Sequence, residues 1–226
     1  MPFNIDTIIA FDHSLAQTIA SARTPEVIQL FIWITELGIS SVFIPVCIVV
    51  VIMLCIAKRK WLILPLATSV IGSLIVTMTA KFIYQRPRPL DGILIEQSYS
   101  FPSGHATIAV SLYGFLVYLL TRNALTRSAQ FSWMLIGLLV IFAIGFSRIV
   151  LGVHYLSDVL AGYLVGGIWL TVGIYISEIF ISKGKVIFNI PLPAKNIAYI
   201  YGLCTLTVLS YGLFALLYTP PLAQLR

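Results

Sequence analysis

Charge is what this chain has least of. Its 226 residues include 14 lysines and arginines and 8 aspartates and glutamates, so 10% of positions are charged and 59% are apolar. A soluble domain is nearer a quarter charged and half apolar. A fold of this size would lack the polar residues needed to cover a water-facing surface. The mean hydropathy of +1.00 excludes disorder, collagen and coiled coil on the same arithmetic. Cysteine is also scarce. Cys47, Cys55 and Cys204 form no C-x-x-C pair and all lie in apolar runs, which reads as inert buried thiols and not as a disulfide framework. Short alternating apolar segments are missing, which excludes a transmembrane β-barrel. The first 30 residues lack a basic n-region followed by a compact apolar core, so no cleavable signal peptide is expected.

What is present is a set of six long apolar runs, approximately 33–57, 61–83, 103–121, 131–151, 156–180 and 197–217. At ~20 residues per crossing these predict an all-α, polytopic membrane bundle of about six transmembrane helices. Residues 1–32 read as a weakly amphipathic interfacial segment, with Ile5, Ile8, Ile9, Leu15 and Ile19 set among polar residues. Residues 33–217 form the transmembrane domain, with its core over 61–180, and 218–226 form a tail. No repeat or low-complexity tract interrupts them.

The net charge of +6 divides between the loops. Lys58, Arg59, Lys60, Arg122, Arg127, Lys183, Lys185 and Lys195 fall on one side, and Arg23, Lys81, Arg86, Arg88, Arg148 and Arg226 on the other. The richer side reads as cytoplasmic, with both termini facing outward, so the basic excess reports topology and no nucleic-acid partner is expected.

Ionisable residues at span ends are functional hypotheses by default, and here they gather in three clusters. Lys81, Arg86 and Arg88 leave span two, Pro102-Ser103-Gly104-His105 enters span three, and Ser147, Arg148, His154 and Asp158 bridge spans four and five. Alternation of spans brings all three to one face. Several cations at one place demand an anion, and planar guanidinium forks suit phosphate oxygens. Ser103 reads as an N-cap, Gly104 lets backbone approach a ligand, and a helix N-terminus favours an anion. His154 and Asp158, four apart, would share a helix face, so the carboxylate would hold one ring nitrogen and direct the other outward as nucleophile or base. His105 is a second imidazole, available as an acid. Each cluster alone also suits a structural duty (a cap, a snorkelling arginine, a stiff basic loop), but one phosphate site accounts for all of them. Two histidines and an aspartate are also a zinc set, yet the surrounding cations repel a metal; neither metal nor cofactor is expected.

At these residues the sequence resembles the type 2 phosphatidic acid phosphatase superfamily, whose signature is K-x6-R-P, then P-S-G-H, then S-R-x5-H-x3-D. Lys81 with Arg88-Pro89, Pro102-Ser103-Gly104-His105, and Ser147-Arg148 with His154 and Asp158 fill every fixed position. The resemblance implies that His154 is the nucleophile and forms a phosphohistidine, Asp158 orients it, and His105 protonates the leaving oxygen and then activates water. Lys81, Arg88, Ser103, Gly104 and Arg148 would bind the phosphoryl group. Arg86 either contacts phosphate or faces water. Membrane relatives commonly have three spans before the first motif, whereas two are expected here, which implies the same core with rearranged flanks.

Hydrophobicity excludes the soluble members of that superfamily. The expected partners are the bilayer and a lipid phosphate: phosphatidic acid, phosphatidylglycerol phosphate, undecaprenyl pyrophosphate or a lipid A phosphate, hydrolysed without metal on the extracytoplasmic face of a bacterial cytoplasmic membrane. Two alternatives stand beside hydrolysis. One is lipid-to-lipid phosphotransfer through the same intermediate. The other is anion transport, which calls for polar residues recurring through the depth of the spans, whereas here they collect at one face.

Overall fold

The computed structural model describes residues 5–188 and 193–217, so the expected tail 218–226, with Arg226, lies outside the described residues. Within them the chain is helical and has no strand. Its order is α1 (Ile5–Ser21), α2 (Pro25–Glu36), α3 (Ser40–Ile56), a 3-10 turn at Lys60–Leu62 leading into α4 (Ile63–Tyr84), α5 (Gly104–Ile108), a π-turn at Ala109–Tyr113, α6 (Gly114–Asn123), α7 (Arg127–Val150), α8 (Leu156–Ser182) and α9 (Ala194–Leu217). Among the described residues six stretches are long and apolar enough to cross a membrane: Pro25–Ile56, Lys60–Tyr84, Gly104–Asn123, Arg127–Val150, Leu156–Ser182 and Ala194–Ala215.

The first span begins eight residues before the expected boundary at 33. Thr24 takes the N-cap position, accepting a hydrogen bond from the Val27 amide at 3.4 Å, and Pro25 occupies the first turn. These are strong helix-start signals, and they outrank the hydropathy onset. The span is also not continuous. Residues 37–39 break it, and a Cβ added at Gly38 would stand 2.6 Å from the His105 ring, so the break lets the chain lie directly against that imidazole.

Helix α8 is the central column. Gly162, Gly166 and Gly173 line one face, where an added Cβ would stand 2.5 Å from the Ser103 carbonyl oxygen, 2.6 Å from that of Thr107 and 2.8 Å from that of Pro65. Small residues spaced one or two turns apart permit this backbone-to-backbone approach. The result presses the start of α5 and the body of α4 onto α8. Leu62, Leu66, Val70, Ile108, Leu112 and Phe115 fill the interior between them. Ser69 donates to the Ser111 carbonyl at 2.9 Å, and the Thr77 and Thr107 hydroxyls meet at 3.1 Å. Buried hydroxyls in such a bundle need partners, and these find them across helices. The outward faces are apolar, with Ile75, Met78, Phe82, Leu138, Leu164 and Leu206 exposed. Cys55 and Cys204 lie on this exterior and Cys47 is half-buried, a correction to the expectation of three buried thiols. The apolar belt takes thiols as readily as the core does.

Candidate active site

Three segments meet at one end of the bundle, and each is shaped by its local sequence. Helix α4 stops at Gln85, which is left-handed (φ +45°) and whose amide donates to the Lys81 carbonyl at 3.0 Å. Pro87 and Pro89 then forbid further helix, so Arg86 and Arg88 sit on a loop. Helix α7 stops at Val150, followed by Gly152 at φ +68°, a conformation that favours glycine. The chain turns back at once, and the His154 amide reaches the Arg148 carbonyl at 3.3 Å.

His154 and Asp158 do not share a helix face, as their spacing suggests. Helix α8 begins at Leu156, after His154. Asp158 lies in the first turn, where Oδ2 accepts the Tyr155 amide at 2.9 Å. The i,i+4 pair is therefore made across a helix cap, with His154 Nδ1 3.5 Å from Asp158 Oδ2. Ser100 lies between them. Its hydroxyl donates to Asp158 Oδ2 at 2.5 Å and stands 3.3 Å from His154 Nδ1. On the opposite side of the ring, Arg88 Nη1 is 3.2 Å from Nε2. A guanidinium only donates, so Nε2 accepts and the ring proton resides on Nδ1, facing Ser100 and Asp158. His154 is 2% exposed. Burial, reinforced by the charges of Arg148, Arg88 and Lys81, holds it well below the ordinary histidine range, so the ring is neutral.

Ser103 occupies the N-cap position of the α5 segment, but its hydroxyl makes no capping bond. Its amide instead donates to the Asp158 carbonyl at 3.0 Å, tying the Pro102-Ser103-Gly104-His105 segment to the His154 segment. Among the described residues, Ser103 Oγ and Arg148 Nε are buried polar atoms with no hydrogen-bond partner. A Cβ added at Gly104 would meet nothing within 4 Å. Unpartnered donors beside open space, at the head of a helix, are suited to receive an anion, and this group is called the candidate cradle below.

The cations of the cradle hold the loop between the first two motifs. Lys81, 8% exposed, donates to the Tyr99 carbonyl and, at 3.4 Å, to that of Ser100. Arg88 donates to the carbonyls of Ser98 at 2.7 Å and Val153 at 2.6 Å. Arg148, 1% exposed, donates to Thr35 Oγ1 at 2.6 Å and pairs with Glu96. The Glu96 carboxylate also lies 3.6 Å from Arg88. Burial pushes this carboxyl upward, but Arg148 and Arg88 outweigh it and hold Glu96 below the ordinary range, ionised. A negative group thus already lies between two of the expected phosphate ligands.

Arg86 neither joins the cradle nor simply faces water. Nη1 donates to Asp158 Oδ1 at 2.6 Å and to Ser157 Oγ at 2.7 Å, and Nη2 donates to Asp12 Oδ2 at 2.8 Å. Every other expected site residue is in the assembly, His105 lying against Gly38 and within electrostatic reach of His154, Arg148, Arg88 and Lys81, and Asp12, Thr35, Gly38, Glu96 and Ser100 join it. None of those five is part of a sequence motif. Asp12, a carboxylate directly after the apolar residues 8–11, carries the only signal that points to a site residue.

Comparison with known proteins gives the family. The PAP2 superfamily profile matches residues 62–182, more than half of the chain. The chain belongs to the PAP2 superfamily. Phosphatidylglycerophosphatase B of Bacillus subtilis is 27% identical over 158 residues, covering 69% of this chain and 77% of that protein. An undecaprenyl-diphosphatase of Sulfolobus acidocaldarius is 27% identical over 170 residues, covering 72% and 76%. Among solved structures, the transmembrane PAP2 type phosphatidylglycerolphosphate phosphatase of Bacillus subtilis superimposes with a TM-score of 0.72 at 25% identity, over 77% of this chain and 88% of that one. Aquifex aeolicus LpxE does so with a TM-score of 0.54 at 26% identity, over 72% and 93%. The protein is an integral membrane hydrolase of the PAP2 phosphatase type.

Proposed function

We propose that this PAP2 phosphatase hydrolyses a lipid phosphomonoester or pyrophosphate through a phosphohistidine at His154, without a metal, on the extracytoplasmic face of the cytoplasmic membrane. The observation that carries this is the two-sided hold on His154: Arg88 at Nε2, 3.2 Å away, and the Ser100–Asp158 pair at Nδ1. It holds a neutral ring with its Nε2 lone pair turned toward Arg88. Relatives that act on phosphatidylglycerophosphate and undecaprenyl diphosphate, by their names, support a lipid substrate.

In the first step Arg88 exchanges its hydrogen bond to Nε2 for one to a phosphoryl oxygen, the freed Nε2 attacks phosphorus, the bond to the leaving oxygen breaks, and His105 gives that oxygen a proton. As positive charge grows on the imidazole, the Nδ1 proton is held by Ser100 and Asp158. Arg88, Arg148 and the Ser103 hydroxyl take the equatorial oxygens. In the second step water attacks phosphorus and gives a proton to His105. The P–N bond breaks, its electron pair returns to Nε2, and inorganic phosphate leaves. Glu96 yields its place on the arginines to the phosphoryl group.

The test is phosphate release from a panel of lipid phosphates in detergent, with a chelator present and with acceptor lipids added. Hydrolysis gives free phosphate that H154A abolishes. Label appearing in the acceptor lipid signals phosphotransfer, and activity abolished by chelator contradicts a metal-free reaction.

A further inference from the structure

The N-terminal helix α1 reaches the catalytic pair through one buried carboxylate. Asp12 is 2% exposed and serves two neighbours. Oδ1 accepts the Ser157 amide at 3.1 Å, while Oδ2 accepts the Ser157 hydroxyl at 2.5 Å and Arg86 Nη2 at 2.8 Å. Arg86 continues the chain to Asp158 Oδ1 at 2.6 Å. Its guanidinium carbon lies 4.3 Å above the Tyr155 ring, which His13 of α1 meets edge-on with centroids 5.0 Å apart. Burial opposes the charge on Arg86, but Asp12 and Asp158 together raise its affinity for the proton, so it stays a cation.

We propose that Asp12 is a positioning residue of the reaction, acting through Arg86 to fix and charge-balance Asp158. The proposal rests on the reading of His154 as nucleophile and Asp158 as its orienter. Two physical consequences support it. The first is geometric. Asp158 Oδ1 is held by Arg86, which leaves Oδ2 for Ser100, the Tyr155 amide and the face of His154. Rotation of the carboxylate would exchange the two oxygens, and a planar fork anchored at its far end by Asp12 resists it. The second is electrostatic. Asp12, Arg86 and Asp158 together carry one net negative charge. Without Asp12, Arg86 alone neutralises Asp158, and the field that stabilises a charged imidazole in the transition state is lost. The cradle on the other side of the ring is untouched, so substrate binding is spared.

The experiment is a double-mutant cycle on the full chain in detergent, using D12N, R86Q and the double variant. Rates on dioctanoyl phosphatidic acid and dioctanoyl phosphatidylglycerol phosphate are normalised to monodisperse folded protein. D12N retains an acceptor for the Ser157 amide. It is expected to lower kcat about tenfold with KM within about twofold, the loss of one charge-assisted hydrogen bond acting only on the chemical step. In the R86Q background, D12N is expected to change kcat no further. Additive losses, or a loss confined to KM, overturn the proposal. Should D12N not fold, R86K replaces it. A lysine keeps the charge but lacks the planar fork whose two nitrogens hold Asp12 and Asp158 separately, so kcat falls as for D12N, and wild-type kcat in R86K overturns the proposal. H154A runs alongside. Turnover by H154A removes the nucleophile reading and this proposal with it, whereas an inactive H154A with an additive cycle removes the role of Asp12 alone.

Discussion

At the scale of single residues, the site is a competition among buried charges for few partners. Ser100 resolves the contact between His154 and Asp158, which at 3.5 Å is long for a hydrogen bond. Ser100→Ala leaves Nδ1 with that contact alone and is expected to lower kcat about tenfold, the usual worth of one hydrogen bond to a charged group. Steady-state kinetics on folded protein check it, and an unchanged kcat contradicts the bridging role. Glu96 occupies the arginines to which the proposed mechanism assigns the phosphoryl oxygens. Glu96→Gln is expected to lower the inhibition constant of inorganic phosphate about tenfold, since a competing carboxylate is removed. A weaker inhibition would show that Glu96 holds the arginines in place and does not compete. As the proposed nucleophile, His154 also sets a pH dependence. Burial and three nearby cations depress its affinity for protons, so it becomes protonated, and inactive as a nucleophile, only below the ordinary value of 6.5. The acid limb of kcat/KM is therefore expected to have its midpoint below that value, and Arg88→Gln, by removing one cation, to move the limb to higher pH. A midpoint at or above 6.5 in the wild type contradicts this account of the ring's surroundings.

At the scale of elements, precision comes from how closely backbones approach. Gly162 places α8 against Ser103, and thereby brings the anion cradle to Asp158. Gly162→Ala puts a methyl 2.5 Å from a backbone oxygen that has no flexible end to move. Overpacking of this kind costs about 1–3 kcal/mol, and here the displacement falls on the proposed site. Lowered thermal stability together with reduced kcat is expected, measured by scanning fluorimetry and phosphate release. The six crossings are legible in the sequence because apolar runs of this length suit little besides the interior of a bilayer. The motif residues are legible because polar groups are rare enough for their spacing to stand out. Less legible are the ends and partners of elements. The start of the first span depends on a cap at Thr24, not on hydropathy. Its break at Gly38 lies against the His105 ring, which is far away in sequence. Arg86 pairs with Asp12 and Asp158, 74 and 72 residues away, and spacing along the chain carries no information about such a meeting.

At the scale of the whole molecule, charge divides the two ends. One end holds the site, where the basic residues of the three motifs lie among acidic partners. The other carries the basic loops, where Arg59 donates to Asn123 at 2.6 Å and Arg122 pairs with Glu178 at 3.2 Å. In the proposed topology these basic loops lie in the cytoplasm. Single cysteines introduced on a background lacking the native three report the orientation. Leu90→Cys, at a fully exposed position of the site end, is expected to react with an impermeant maleimide in intact cells. Asn123→Cys is expected to react only after permeabilisation. The reverse pattern inverts the topology and moves the substrate to the inner leaflet, while leaving the chemistry of the site intact.

The central claim is that His154 carries the phosphoryl group. The direct measurement is rapid quench of the purified protein after mixing with 32P-labelled lipid phosphate in detergent and chelator. Wild-type protein is predicted to show transient, acid-labile and base-stable label that maps to the peptide containing His154, and H154A none. Turnover without labelled protein, or equal label on H154A, contradicts the account.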